Sequence, residues 1–153
     1  MANSRIQGEA EIWIRETWLP QRFKQRFFKG QLQLLSGGVF EFDAISDDKK
    51  IVASISTNGG ITAAGRKATP KLNKIRSDIL FLLQCEATQR LVLLSDAAMF
   101  KLCELELKNG RIPRQIEFIQ VSLPYELEEQ CRISRRIAAQ EQGYKNPISR
   151  VRI

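Results

Sequence analysis

At Gln31 the hydrophobic pattern changes from a helical to a two-residue period, and that switch narrows the possible folds more than any other feature. Gln31-Leu32-Gln33-Leu34 alternates, Ser36-Gly37-Gly38 turns, and Val39-Phe40-Glu41-Phe42-Asp43-Ala44-Ile45 runs back. The charged turn Asp47-Asp48-Lys49-Lys50 then leads into Ile51-Val52-Ala53-Ser54-Ile55-Ser56-Thr57. Alternation at period two suits a half-covered strand, so this stretch predicts a three-stranded antiparallel meander. The rhythm then changes. Leu72, Ile75, Ile79, Leu82 and Leu83 recur at three- and four-residue steps, which predicts a helix from near Pro70 to about residue 85. Arg90-Leu91-Val92-Leu93-Leu94-Ser95 is a short continuous apolar run, the signature of a strand covered on both faces. Asp96 is placed to cap a helix over 97–107, Asn109-Gly110 stops it, and 116–121 supplies a fifth strand. Pro124 introduces a last helix to about residue 142. Upstream, residues 9–28 predict a helix kinked or divided at Pro20.

The order α-βββ-α-β-α-β-α predicts the α/β class: a mixed sheet, an antiparallel meander followed by alternating helices and strands, with helices on both faces. Residues 1–142 read as one domain and 143–153 as a basic tail carrying Lys145, Arg150 and Arg152. A chain of 153 residues buries a core without covalent staples.

The chemistry available is narrow. There is no histidine, which removes Ser-His-Asp and Cys-His catalysis and histidine-bound zinc. Cys85, Cys103 and Cys131 are widely spaced with no CxxC, and read as reduced core thiols. The N-terminus leads into charge rather than an apolar signal core, and no run is long enough to span a membrane, so a cytoplasmic protein is expected. The net charge of +7 is concentrated in segments. Arg66, Lys67, Lys71, Lys74 and Arg76 face only Asp78 within residues 60–80, a balance that favours a polyanionic partner over a merely solubilising surface.

On a strand, Glu41 and Asp43 share a face, with Phe40 and Phe42 on the other. Two carboxylates side by side suit one hard divalent cation. Ser54 and Ser56 share a face of the next strand. The plainer alternative is that Glu41 and Asp43 form the solvated side of an edge strand.

This hairpin, within that element order, resembles the core of the restriction-endonuclease-like PD-(D/E)xK nuclease superfamily. The resemblance spans roughly residues 9–140. It implies an Asp at the end of one strand, here Asp43, and a Glu-x-Lys on the next that completes a Mg²⁺ site and supplies a cation. This chain has Ser54-Ile55-Ser56 in that place. A serine is a poor ligand beside a carboxylate and brings no positive charge, so a degenerate active site is expected. Were cleavage retained, as a metal-dependent endodeoxyribonuclease, Asp43 would be the metal ligand. Glu41 would aid it, Lys67 (or Lys71 or Lys74) would supply the cation, and Glu11 or Glu16 an additional acid.

The expected function is therefore nucleic-acid binding, DNA first, through phosphate contacts from Arg66, Lys67, Lys71 and Lys74, with no cofactor and no cleavage. The alternatives are a Mg²⁺-dependent endonuclease with relocated residues and a homodimeric interaction protein. A second basic group, Arg15, Arg22, Lys24, Arg26 and Lys29, is interleaved with Trp18, Phe23, Phe27 and Phe28, which at helical spacing read as core anchors. Arg132, Arg135 and Arg136 sit among Glu128 and Glu129 and read as salt-bridged, with Glu128–Arg132 as one pair.

Overall fold

The computed structural model describes residues 2–62 and 64–145. The first helix, α1 (Ala2–Trp13), begins earlier than its apolar pattern suggested and passes into a π turn, Ile14–Trp18, and a short α2, Leu19–Phe23. Pro20 explains the wide turn. It has no N–H for the carbonyl four residues back, and the register slips so that Leu19 donates to Ile14. Lys24 ends α2 in the left-handed conformation (φ 60°), donating to the Pro20 carbonyl. Phe27 and Phe28, read from sequence as the end of a helix, are strand.

Five strands make one mixed sheet in the order β1 (Phe27–Gln33), β2 (Val39–Ser46), β3 (Ile51–Ser56), β4 (Gln89–Leu94), β5 (Ile116–Gln120). β2 is antiparallel to both neighbours, whereas β3, β4 and β5 run parallel, so β2 alone opposes the other four. The β2–β3 turn is held by Asp48, whose Oδ1 accepts from Ser46 Oγ (2.7 Å) and from the Lys50 N–H (3.0 Å). These bonds hold its carboxyl below the usual range.

Helices α3 (Thr69–Leu83) and α4 (Ala97–Lys108) cover one face, where Leu72, Ile75, Ile79 and Leu82 pack with Met99 and Cys103 on Phe42, Ile45, Val52, Val92 and Leu94. The other face carries α1 and α5 (Tyr125–Lys145), with Ile6, Ala10, Ile14 and Cys131 against Ala44, Ala53, Leu91 and Leu93. Leu91 to Leu94 are all fully buried, the expected consequence of two covered faces. All three cysteines are free and buried. Asp96 caps α4, accepting from Met99 N–H at 2.9 Å. Arg132 pairs with Glu129 (2.9 Å) rather than with Glu128. α5 runs through Lys145, three residues beyond the helix end read from sequence, and Arg150 and Arg152 lie outside the described residues. Among the described residues no helix is long and apolar enough to cross a membrane.

Candidate functional site

The centre of the site is a defect in the sheet. Between the pairs Phe28↔Ile45 and Gly30↔Phe42, β1 advances two residues while β2 advances three. The extra residue makes a β-bulge at Asp43–Ala44, opposite Lys29. Side-chain alternation confirms it, since Phe42 and Ile45 face α3 and α4 while Ala44 between them faces α1. Bulges bend a strand and re-aim a side chain. Here the β2–β3 ladder pairs Ala44↔Ala53 and Ile45↔Val52 and then opens, and Asp43 fills the gap. Its Oδ2 accepts the Ile55 N–H at 2.8 Å, replacing a backbone acceptor with a carboxylate.

Asp43 is pushed up to about 6, first by burial and then by the neighbouring Glu11 carboxyl, which hydrogen-bonds it; the Ile55 N–H and Lys74 pull the other way. Arg15, delivered by the π turn, donates to the Asp43 carbonyl (3.2 Å) and lies 3.6 Å from Glu11. Lys29 bridges Glu11 (3.9 Å) and Glu41 (3.8 Å). The two acids that alternation placed together remain neighbours: Asp43 meets Ile55 and Glu11, and Glu41 meets Lys29, which also reaches Glu11. β2 is an interior strand, so the edge-strand reading of these acids does not hold.

Glu41 and Asp43 still border one recess of about 90 Å³, lined also by Phe40, Phe42, Ser54, Lys74 and Asp78. It has room for a few waters and for no nucleobase. Across it, α3 brings the i,i+4 pair Lys74–Asp78 (3.1 Å), and Asp78 Oδ2 also accepts from Ser54 Oγ (3.1 Å). One acid and one cation therefore stand over the strand that has Ser54-Ile55-Ser56. Ser56 is buried, and its Oγ has no hydrogen-bond partner.

The sequence candidates are divided by this arrangement. Asp43, Glu41 and Lys74 border the recess. Lys71 stands one helical turn before Lys74 and donates to Asn58 Oδ1 (3.2 Å). Arg66 and Lys67 are exposed on the loop before α3, where Lys67 pairs with Ile61 as an isolated bridge. Lys67 is not among the lining residues, and Lys74 is the α3 cation beside Asp43. Glu11 joins Asp43, while Glu16 is exposed on the π turn. Asp78, Arg15 and Lys29 were not singled out for this site from sequence. The i,i+4 spacing of Lys74 and Asp78 placed them on one helix face, yet nothing in the spacing said which strand that face would meet.

Asp43 commits one oxygen to Ile55, and Asp78 one oxygen to both Ser54 and Lys74. Among the described residues no three acidic or thiol side chains converge to hold a metal ion. The residues as arranged do not form a ready Mg²⁺ site. Comparison with known proteins returns no matching family model, no matching curated protein and no matching solved structure.

Proposed function

We propose that this chain binds nucleic acid through its phosphate backbone, on a scaffold resembling the PD-(D/E)xK nucleases, without cleavage of its own. One observation carries the reading. Arg66, Lys67, Lys71 and Lys74 are all exposed and run from the loop into the first turns of α3, ending at the recess. Lys–phosphate and Arg–phosphate pairs release counterions from the nucleic acid, so affinity falls steeply with salt. Fluorescence anisotropy of a labelled duplex, titrated across salt without metal, tests this. The slope of log K against log salt is expected near −3 to −4 for about four contacts. Absence of binding to DNA and RNA at low salt overturns the reading.

A second reading, metal-dependent phosphodiester hydrolysis, is favoured by one specific observation: Lys74 and Asp78 stand over Ser54 beside Asp43, supplying from α3 the charge types that the strand lacks. It predicts cleavage with added Mg²⁺ or Mn²⁺ that disappears in Asp43→Asn and in Asp78→Asn. An intact duplex after prolonged incubation with either ion removes it.

A further inference from the structure

The loop between β3 and α3 is a built finger rather than a slack connection. Its root is fixed from three elements. Gly60 N–H donates to Asp96 Oδ2 (2.9 Å), and Ala68 N–H donates to the Gly60 carbonyl (2.9 Å). Arg135 on α5 donates to the Thr57 carbonyl (2.9 Å) and to Asp96 Oδ1 (3.2 Å). Gly60 also lies so close to α4 that a Cβ would fall inside the Ala98–Met99 backbone. From that root two short arms run outward, joined by the Ile61↔Lys67 bridge and by Thr62 N–H to the Arg66 carbonyl (2.7 Å). The return is tightened by Gly65 (φ 76°), whose N–H donates to the Thr62 carbonyl (2.9 Å), and by Arg66 N–H on Thr62 Oγ1 (3.2 Å). Ile61, Thr62, Ala64, Gly65, Arg66 and Lys67 are all exposed. A two-armed ribbon with small residues toward its end and two cations is narrow, rigidly based and positive.

We propose that this finger enters the major groove of B-form duplex DNA, with Arg66 directed at base edges, Lys67 at the groove wall, and Lys71 and Lys74 on the adjoining phosphates. The inference rests on the nucleic-acid reading above and names its ligand. Paired strands lie about 4.8 Å apart, and the B-DNA major groove, about 12 Å wide, admits a two-stranded ribbon with its side chains. The major groove of A-form RNA is deep and narrow and excludes it. A single strand has no groove to fill. The fixed root means that little ordering remains for the moment of binding.

The test is anisotropy of the full chain on one sequence presented as DNA duplex, RNA duplex and single-stranded DNA, at one salt concentration. About a 10-fold or greater preference for the DNA duplex over the RNA duplex is expected. Arg66→Ala/Lys67→Ala is expected to shrink that preference to less than about 3-fold. Lys71→Ala/Lys74→Ala should weaken all three complexes while leaving the preference in place, since phosphate contacts carry no groove information. Guanine N7 protection from dimethyl sulfate, present with the wild type and lost in the Arg66/Lys67 double variant, reports the groove directly. Equal affinity for the two duplexes, a preference that survives the double variant, or unprotected N7 overturns the finger assignment while the nucleic-acid reading stands. No binding to any of the three at low salt overturns both.

Discussion

Two of the covered carboxylates, Glu106 and Asp43, are treated in opposite ways. Glu106 on α4 is buried, with 7% of its side chain exposed, and is answered by Arg76 at 2.8 Å and Arg111 at 3.5 Å. The triad ties α3, α4 and the segment leading to β5 together. Asp43 is instead set beside a second acid, Glu11, and accepts from the backbone N–H of Ile55. A buried charge fully met by guanidinium is a structural clamp. A carboxyl held beside another carboxyl in a polar recess keeps unspent capacity for a proton, a cation or a ligand. That contrast, rather than acidity alone, marks the β2 bulge as the candidate site.

The largest expected effect sharpens the Asp43 side of the contrast. Its folded value, about 6, lies above its ordinary value of 3.8, so folding favours the protonated form. The resulting stability is fully present below about pH 4 and is lost as the pH rises through about 6, to an extent on the order of 3 kcal/mol. With no histidine to titrate in that window, urea denaturation of wild type and Asp43→Asn at pH 4, 5, 6 and 7 isolates it. The variant should gain on the wild type as pH rises. A gap that stays constant would show that burial and Glu11 do not set this carboxyl.

Breaking the clamp comes next. Arg76→Ala leaves Glu106 with only the longer Arg111 contact and should cost about 2 kcal/mol, discounted from a fully buried pair because Arg76 is 37% exposed. Loss of less than about 0.5 kcal/mol in a denaturant midpoint would put Glu106 in the same class as Asp43. Asp43→Ala compared with Asp43→Asn is a smaller effect. The amide keeps an acceptor for the Ile55 N–H and alanine does not, so at pH 5 alanine should be about 1 kcal/mol less stable. Equal stability would mean that Ile55 finds water instead. The smallest expected effect on stability is Lys74→Ala, within about 0.5 kcal/mol because Lys74 is 69% exposed. Its expected signature is a drop of about 1 in the salt slope of duplex binding.

Much of the fold was legible because the determining signals are local. Alternation in 31–57, the stripe Leu72–Ile75–Ile79–Leu82 and the unbroken run Leu91 to Leu94 each report which sides of an element are covered. Pro70, Asp96 and Gly110 mark ends through their own backbone and side-chain chemistry. The boundaries that misled share a cause. Phe27 and Phe28 continue the helical aromatic spacing of Phe23, and it is the sheet pairing with Ser46 and Ile45 that makes them strand. The candidate site was legible only in its parts. Asp43, Glu41 and Lys74 were visible as residue types in a suggestive order, while Asp78, Arg15 and Lys29 were visible only as members of ordinary charge patterns.

By itself the sequence determined the α/β class, the order of the elements, the absence of imidazole chemistry and the basic loop-to-helix segment, because each follows from composition or from contacts a few residues apart. Tertiary structure alone decided that β2 bulges opposite Lys29, that Asp43 accepts from Ile55 while Glu41 pairs with Lys29, that α3 sets Lys74 and Asp78 over Ser54, and that Asp96 and Arg135 fix the root of the finger. A bulge is one residue of slippage between two strands, and the partners of a helix face are chosen by packing across the sheet. Both depend on groups distant in the chain, and no local pattern records them.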